Sequence, residues 1–85
     1  MFKIKAKDGT NNLTGKKIAE IRKSKKISQR KLAVKMQLIG FDVDHYFIRR
    51  VENGERFVTD IDLVIFSRAL QIPIEELLSN ADDNL

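Results

Sequence analysis

Apolar residues recur along the chain with the spacing of amphipathic helices, and the clearest repeat lies between Asp44 and Gly54. At 3.6 residues per turn, three apolar side chains of this stretch share one face: Phe47, Ile48 and Val51. Asp44 suits the N-cap position, because its carboxylate accepts hydrogen bonds from free amides of the first turn. Gly54 suits a left-handed residue after the last turn. The pattern therefore predicts a helix over residues 45–53.

The opposite face of this predicted helix is polar and basic. Tyr46, Arg49 and Asn53 point away from the apolar side, and His45 and Arg50 flank them. Such a face is typical of a solvated surface helix. It is equally typical of a helix in a DNA major groove, where arginine pairs with guanine through two hydrogen bonds. The helix taken alone leaves both interpretations open.

Four further helices follow from the same periodicity and from residues that favour helix starts. They are residues 13–25 with Asn12 as cap, 29 to about 38 with Ser28 as cap, 60–70 with Thr59 and Asp62 as a capping box, and 74–79 after Pro73. Lys26 lies where a helix-ending glycine would be comfortable, so we expect fraying or slight strain there. A short connection containing Gly40 joins the second helix to the third, which predicts a helix-turn-helix within an all-α bundle.

The two ends of the chain lack the helical pattern. Residues 1–7 alternate apolar side chains with lysines, and this period of two predicts a short strand. No second strand is predicted nearby, which leaves an extended arm or pairing with another copy as alternatives. The last residues are polar and acidic, and we expect a mobile tail. The predicted organisation is an arm over 1–12, one domain over 13–79 and a tail over 80–85.

Two of the predicted helices carry residues that call for a partner. Arg22 falls within the apolar arc of the first helix, and a buried arginine needs a carboxylate. The fourth helix is apolar nearly all round, which is typical of a central helix or of one buried against a partner. We expect one of its faces to meet a second subunit, with Ile65 at a position where a solvated helix would carry a polar residue.

Length and composition restrict the class of protein. The chain has 85 residues, 42% of them hydrophobic and 33% charged, which fits one small globular domain. It contains no cysteine, which excludes disulfides and thiolate metal sites and fits a reducing cytoplasm. No apolar run is long enough to span a membrane, and we see no signal peptide. With one histidine and no glycine-rich phosphate loop, we expect no enzyme, no cofactor and no metal site.

The net charge of +4 conceals a gradient along the chain. Residues 1–31 contain 11 Lys or Arg against 2 acids, residues 32–56 contain 4 of each, and residues 57–85 contain 1 against 6. A basic front and an acidic back favour a surface for a polyanion on one side of the protein. The alternative is that the asymmetry only aids solubility.

Four segments in order resemble the phage-repressor type of helix-turn-helix domain, the Cro/repressor family: GKKIAEIRK, ISQRKLA, IRRVENGER and SRALQIPIEELL. The resemblance implies a fold of five short helices that binds DNA. It implies base contacts by His45, Tyr46, Arg49 and Arg50. It implies phosphate contacts by Gln29, beside Ser28, and by Asn53 with the backbone after Gly54. We predict the phosphate contacts to be Ser28, Gln29, Arg30, Asn53 and Arg56. The resemblance also implies a buried ion pair between Arg22 and Glu52.

The chain departs from the family pattern at three points. Between Met36 and Val43 it is longer by about five residues, in a motif whose turn normally has three or four. Either the second helix is extended or the turn is enlarged. Asp44 places an acid where serine or threonine is common, and Phe47 replaces a smaller or hydroxylated residue, so one phosphate contact is lost.

The sequence therefore favours a sequence-specific DNA-binding transcriptional regulator, a repressor that binds its operator in double-stranded DNA as a homodimer. The alternative is a protein-interaction module, such as an antitoxin or a regulator controlled by a partner protein. The wide apolar face of the fourth helix is compatible with both, because each requires a protein surface as partner.

Overall fold

Five α-helices and one short 3-10 helix form the computed structural model, which describes residues 4–85. The α-helices are α1 (Gly15–Ser24), α2 (Gln29–Leu38), α3 (His45–Glu52), α4 (Asp60–Leu70) and α5 (Ile74–Leu77), and the 3-10 helix is Ala81–Asn84. The predicted all-α class is confirmed. Within residues 4–85 no strand is formed, so the strand predicted over 1–7 is wrong for residues 4–7; residues 1–3 lie outside the described part.

The core lies between the inner faces of α1, α2, α3 and α4. The apolar face predicted for α3 is buried, with Phe47 at 5% exposure and both Ile48 and Val51 at 0%. α3 packs against α1 and α2, and α4 packs against both of those helices. The Phe66 ring of α4 stacks on the Phe47 ring with centroids 6.0 Å apart. Burial of these side chains at about 25 cal/mol per Å² is the main force that holds α3 on the domain.

Three predicted helix starts are confirmed by hydrogen bonds. Ser28 Oγ accepts from the Lys31 amide at 3.0 Å, and Asp44 Oδ1 accepts from the Phe47 amide at 3.0 Å. Thr59 and Asp62 exchange bonds of 3.0 and 3.1 Å as a capping box. Each cap satisfies an amide that has no partner within its helix.

Some helix boundaries differ from the sequence prediction. α1 begins at Gly15 rather than at residue 13, because residues 12–15 form a turn in which Asn12 Oδ1 accepts from the Gly15 amide at 2.7 Å. α1 ends at Ser24, and Lys26 has a φ of 58°, the left-handed conformation for which the sequence indicated a glycine. α5 ends at Leu77 rather than at residue 79.

The extra residues between α2 and α3 enlarge the turn, since α2 stops at Leu38 and α3 starts at His45. Gly40 is left-handed with a φ of 100°, and the Phe41 amide donates to the Met36 carbonyl at 3.0 Å. The Phe41 ring meets the Phe47 ring edge-on with centroids 6.0 Å apart. The enlarged turn is therefore fixed at its middle by an aromatic contact with the core.

The tail that we expected to be mobile folds back onto the N-terminal turn. Asn84 accepts from the amides of Lys7 and Asp8, at 2.7 and 3.0 Å. Asp8 also binds Lys16 of α1, with Nζ and Oδ2 2.9 Å apart. The hydrogen bond from Lys16, with further bonds from Thr10, holds the pKa of the Asp8 carboxyl well below its usual range. Both ends of the described chain are thus tied to the start of α1.

Candidate nucleic-acid interface

The outward face of α3 carries two arginines. Tyr46, Arg49 and Arg50 are exposed, and together with Glu55 they line one shallow concavity of the surface. None of the ion pairs formed within residues 4–85 involves either arginine. The hydrogen-bond donors of this face are therefore available to a molecule outside the domain.

His45 stands at the first position of α3 and is less open than its neighbours. The side chain is half-buried, and its ring centroid lies 4.1 Å from that of Tyr46 at an interplanar angle of 35°. The two aromatic rings are thus in contact at the N-terminal end of α3. Asp44, which caps that end, uses one carboxylate oxygen on the Phe47 amide.

A second concavity brings the start of α2 and the end of α3 together with lysines of α1. Gln29 and Asn53 line it beside Lys16 and Lys23. Glu52 lines it too, but its carboxylate is paired with Arg22. Two candidate phosphate contacts thus share a surface with cations that the sequence pattern had assigned only to the outside of α1.

Each residue at the start of α2 has a different environment. The Ser28 hydroxyl oxygen accepts the capping hydrogen bond, and its proton can still be donated to another acceptor. Gln29 is half-buried, and its Nε2 donates to Glu52 Oε1 at 3.0 Å. The second N–H of this amide can donate to another acceptor. Arg30 is exposed. The start of α2 also favours anions, because the first amides of a helix lack partners within it.

Arg22 and Glu52 form the ion pair that the resemblance implied. Arg22 Nε lies 2.7 Å from Glu52 Oε2, and Nη2 lies 3.0 Å from Oε1, so the contact is bidentate. Arg22 Nη1 also donates to the Ile27 carbonyl at 2.8 Å. The pair connects α1 with the end of α3 and orients Gln29 through the shared carboxylate oxygen.

The loop after α3, residues 53–56, carries the last two candidate phosphate contacts. Asn53 and Arg56 are both exposed. The Arg56 guanidinium carbon lies 4.7 Å from the centroid of the Phe47 ring, a cation–π distance. Phe47, whose size departs from the family pattern, therefore provides a platform that orients Arg56.

Between residues 4 and 85, no group of three or more histidine, aspartate or glutamate side chains is placed to hold a metal ion. No helix of that same part is both long and apolar enough to cross a membrane.

A family model described as helix-turn-helix matches residues 18–77, which include most of α1 and all of α2 to α5. The chain belongs to the helix-turn-helix family. The match and the fold confirm the resemblance to the Cro/repressor type. They make the chain a DNA-binding transcriptional regulator of that family.

A solved structure of a helix-turn-helix protein supports the same assignment. The chain is similar to the restriction-modification controller protein C.AhdI from Aeromonas hydrophila, with a TM-score of 0.66 and 31% sequence identity. The similarity covers 76% of this chain and 91% of the controller protein. No curated protein matches the chain significantly.

The helix-turn-helix chain also contains contacts that the sequence pattern did not indicate. Asn12, which the sequence predicted only as the cap of the first helix, and its neighbour Asn11 donate hydrogen bonds to the end of α3 and to the following loop. Periodicity carries no signal for such contacts, because they join residues about 40 positions apart in the chain. The only local indication of these contacts in the sequence was the pair of polar residues before the first helix.

The face of α4 predicted to meet another subunit is only partly open. Ile65 is half-buried and packs against the core. Ile61 and Val64 of the same helix are 64% and 37% exposed. The unpaired apolar surface of α4 in this regulator therefore lies at Ile61 and Val64 rather than at Ile65 alone.

Proposed function

We propose that this regulator binds a specific operator in double-stranded DNA as a homodimer and that α3 reads base edges in the major groove. The exposed arc of Tyr46, Arg49 and Arg50, whose arginines have no carboxylate partner among residues 4–85, is the observation that carries the proposal. Arginine donates two parallel hydrogen bonds to guanine, and such pairs are the commonest specific contact with DNA. His45 supports the same role through its stacking on Tyr46.

Phosphate contacts at two flanking places would set the register of α3 in the groove. The first is the start of α2, with Ser28, Gln29 and Arg30, where the first amides lack partners within the helix. The second is the loop with Asn53 and Arg56. One residue of each place, Gln29 and Asn53, lines a concavity that also contains Lys16 and Lys23. The acidic residues that follow residue 57 fit the side turned away from DNA.

The homodimer part of the proposal rests on apolar surface that the single chain leaves open. Ile61 and Val64 are exposed on α4. Leu63 of α4 lines an apolar concavity with Leu78, which follows α5 and is 40% exposed. A twofold contact over this surface, including the partly buried Ile65, would bury these side chains and present two copies of α3 to one face of DNA.

We further propose that the regulator acts as a repressor in the cytoplasm. A dimer that fills two successive major grooves excludes other proteins from the same DNA, which is the simplest route from binding to repression. The controller protein that it resembles supports a role in the control of genes. A reporter gene placed behind the selected operator should lose expression when the protein is supplied, and a gain would reverse the proposed sign of regulation.

Selection of binding sites from random DNA tests the central proposal. We expect enrichment of one motif with two related half-sites about one helical turn, roughly 10 base pairs, apart. Affinity for that motif should fall as salt rises. In a plot of log affinity against log salt concentration, each phosphate contact should contribute about 0.9 to the slope. The absence of an enriched motif, together with equal affinity for all sequences, would contradict sequence-specific regulation.

A second candidate function is that of a protein-interaction module whose partner covers α4. The exposed Ile61 and Val64 favour it, because a partner protein would bury them as well as a second copy would. Retention on DNA or heparin that weakens with salt, together with a dimer in sedimentation, supports the regulator that acts alone. A monomer that ignores DNA would favour the module.

A further inference from the structure

The segment before α1 is bonded to the end of α3 and to the loop that follows it. The Asn11 amide donates to the Gly54 carbonyl at 2.7 Å, and Asn11 Nδ2 donates to the Glu55 carbonyl at 2.9 Å. Asn12 Nδ2 donates to the Val51 carbonyl at 3.0 Å and to the Arg56 carbonyl at 2.8 Å. Four carbonyls at and after the end of α3 thus have partners from two neighbouring asparagines, which we call the asparagine clamp.

Asn12 joins two helices through opposite ends of one amide. Its Oδ1 accepts from the Gly15 amide at the start of α1, while its Nδ2 serves the two carbonyls beside the end of α3. The last carbonyls of a helix lack partners within that helix, so outside donors determine how the chain continues. The clamp therefore couples the position of α1 to the course of the loop 53–56.

Two glycines let the segments approach closely enough for these bonds. A Cβ at Gly15 would lie 2.2 Å from the Val51 carbonyl oxygen. A Cβ at Gly54, whose φ of 77° is left-handed, would lie 2.5 Å from side-chain atoms of Thr10. Backbone and side chain are thus in direct contact along the whole clamp, which leaves little freedom for the loop to shift.

We propose that Asn11 and Asn12 are positioning residues for DNA binding, which hold the loop 53–56 in the form that contacts phosphate. The inference rests on the proposed function, since it takes Asn53 and Arg56 as phosphate contacts. Both asparagines lie before residue 18, where the helix-turn-helix match begins. The proposal therefore assigns a DNA-binding role to a part of the chain that the family match does not include.

The effect of the clamp on binding follows from preorganisation. A loop ordered before binding loses less conformational entropy when it meets DNA, so its contacts yield more affinity. Arg56 is held at both ends: its carbonyl accepts from Asn12, and its guanidinium lies over the Phe47 ring. Loss of the clamp should reduce the Arg56 contact with phosphate. The base-reading side chains nearer the start of α3 keep their support from the Asp44 cap and the core.

Asn12→Asp separates the two roles of the clamp residue. A carboxylate still accepts from the Gly15 amide, but it cannot donate to the Val51 and Arg56 carbonyls. Asn80→Asp is the matched control, because it adds the same charge at an exposed position in the tail. Arg56→Ala and the double variant Asn12→Asp with Arg56→Ala complete the set. Operator affinity is measured against salt concentration at a temperature where circular dichroism shows every variant folded.

We expect Asn12→Asp to lower the slope of log affinity against log salt concentration by about 0.9. If variant and wild type bind equally at 1 M salt, the variant then binds about fivefold more weakly than the wild type at about 0.15 M. Base preference should stay as in the wild type. Arg56→Ala should lower the slope by the same amount. The double variant should lower it little further, because both changes remove the same phosphate contact, that of Arg56. Asn80→Asp should keep the wild-type slope. If Asn12→Asp does not fold, Asn11→Ala replaces it, since this change removes a single bond to the loop.

Three results would overturn the proposal, and they differ in what else they overturn. If Arg56→Ala lowers the slope but the folded clamp variant does not, the clamp serves stability alone and the proposed function stands. If Arg56→Ala leaves the slope unchanged, Arg56 does not contact phosphate, and both this part of the proposed function and the clamp proposal are wrong. Additive losses in the double variant would also count against the clamp, because Asn12 would then act elsewhere.

Discussion

Arg22 and Glu52 meet in a bidentate ion pair with N–O distances of 2.7 and 3.0 Å, and their side chains are only 10% and 6% exposed. The pair connects α1 to the end of α3, and Gln29 of α2 donates to the same carboxylate. The helices α1, α2 and α3 thus share one buried polar contact. This contact therefore stabilises the domain and also fixes the position of α3 relative to α1 and α2.

Glu52→Ala should lower the free energy of unfolding by roughly 3 kcal/mol, because it leaves the Arg22 charge buried without a partner. Replacement of both residues, as Arg22→Met with Glu52→Leu, should cost much less, since no charge then remains to be desolvated. Urea unfolding measures both values. Glu55→Ala is the control, since Glu55 is exposed, and it should change stability little. A loss below about 0.5 kcal/mol for Glu52→Ala would show that the pair contributes no more than a surface contact.

Lys26→Gly should stabilise the domain by about 1 kcal/mol, because Lys26 occupies a left-handed conformation that costs a side chain energy and costs glycine none. For a domain of this size that corresponds to roughly 4–8 °C in the melting temperature. Lys25→Gly is the matched control, since Lys25 has a φ of −87° and glycine gains nothing there. Equal effects of the two changes would mean that Lys26 carries no strain.

The sequence predicted the helices well where local signals agree. Asp44, Ser28 and Thr59 are capping residues followed by regular apolar spacing, and the helices begin directly after each of them. The start of α1 was missed, because Asn12 bonds to Gly15 in a turn that resembles a first helical turn. The folded tail was missed for another reason: its bonds to Lys7 and Asp8 join opposite ends of the chain, and composition alone indicated solvent.

The candidate site was predictable in its residues but not in their arrangement. Helical spacing was enough to place Tyr46, Arg49 and Arg50 on the outer face of α3. Spacing could not show that Arg56 lies over the Phe47 ring, nor that Gln29 shares a carboxylate with Arg22. Such contacts depend on how helices cross in space, which the pattern of one chain does not encode.

Ile61→Lys should shift the protein from dimer to monomer while its helix content stays the same. Ile61 is 64% exposed, so a lysine there costs the folded monomer little, but it places a charge in the proposed twofold contact. Sedimentation and circular dichroism measure the two effects. Ile65→Lys should also weaken the dimer, yet with lower stability, because Ile65 packs partly on the core. A wild-type protein that stays monomeric at high concentration, with and without DNA, would exclude this interface.

Arg50→Ala should weaken binding to the best operator and relax the preference at one base pair in each half-site. An arginine on a base edge gives discrimination of about 1–3 kcal/mol, whereas one on phosphate gives affinity without preference. Arg50 and Arg49 are both exposed on the face of α3 that lines one concavity with Tyr46. Site selection with the variant, compared with the wild type, measures the change in preference.

Arg49→Ala must be measured beside Arg50→Ala, because the enlarged turn before α3 affects how that helix enters the groove. The turn is fixed by the Phe41 contact with Phe47, so α3 has one defined orientation, and we expect the two arginines to differ in their effect on preference. Arg30→Ala, at the start of α2, is the control: it should weaken binding equally on all sequences and lower the salt slope by about 0.9. If Arg49→Ala and Arg50→Ala behave like Arg30→Ala, both arginines hold phosphates. Specificity would then come from His45, Tyr46 or the shape of the DNA.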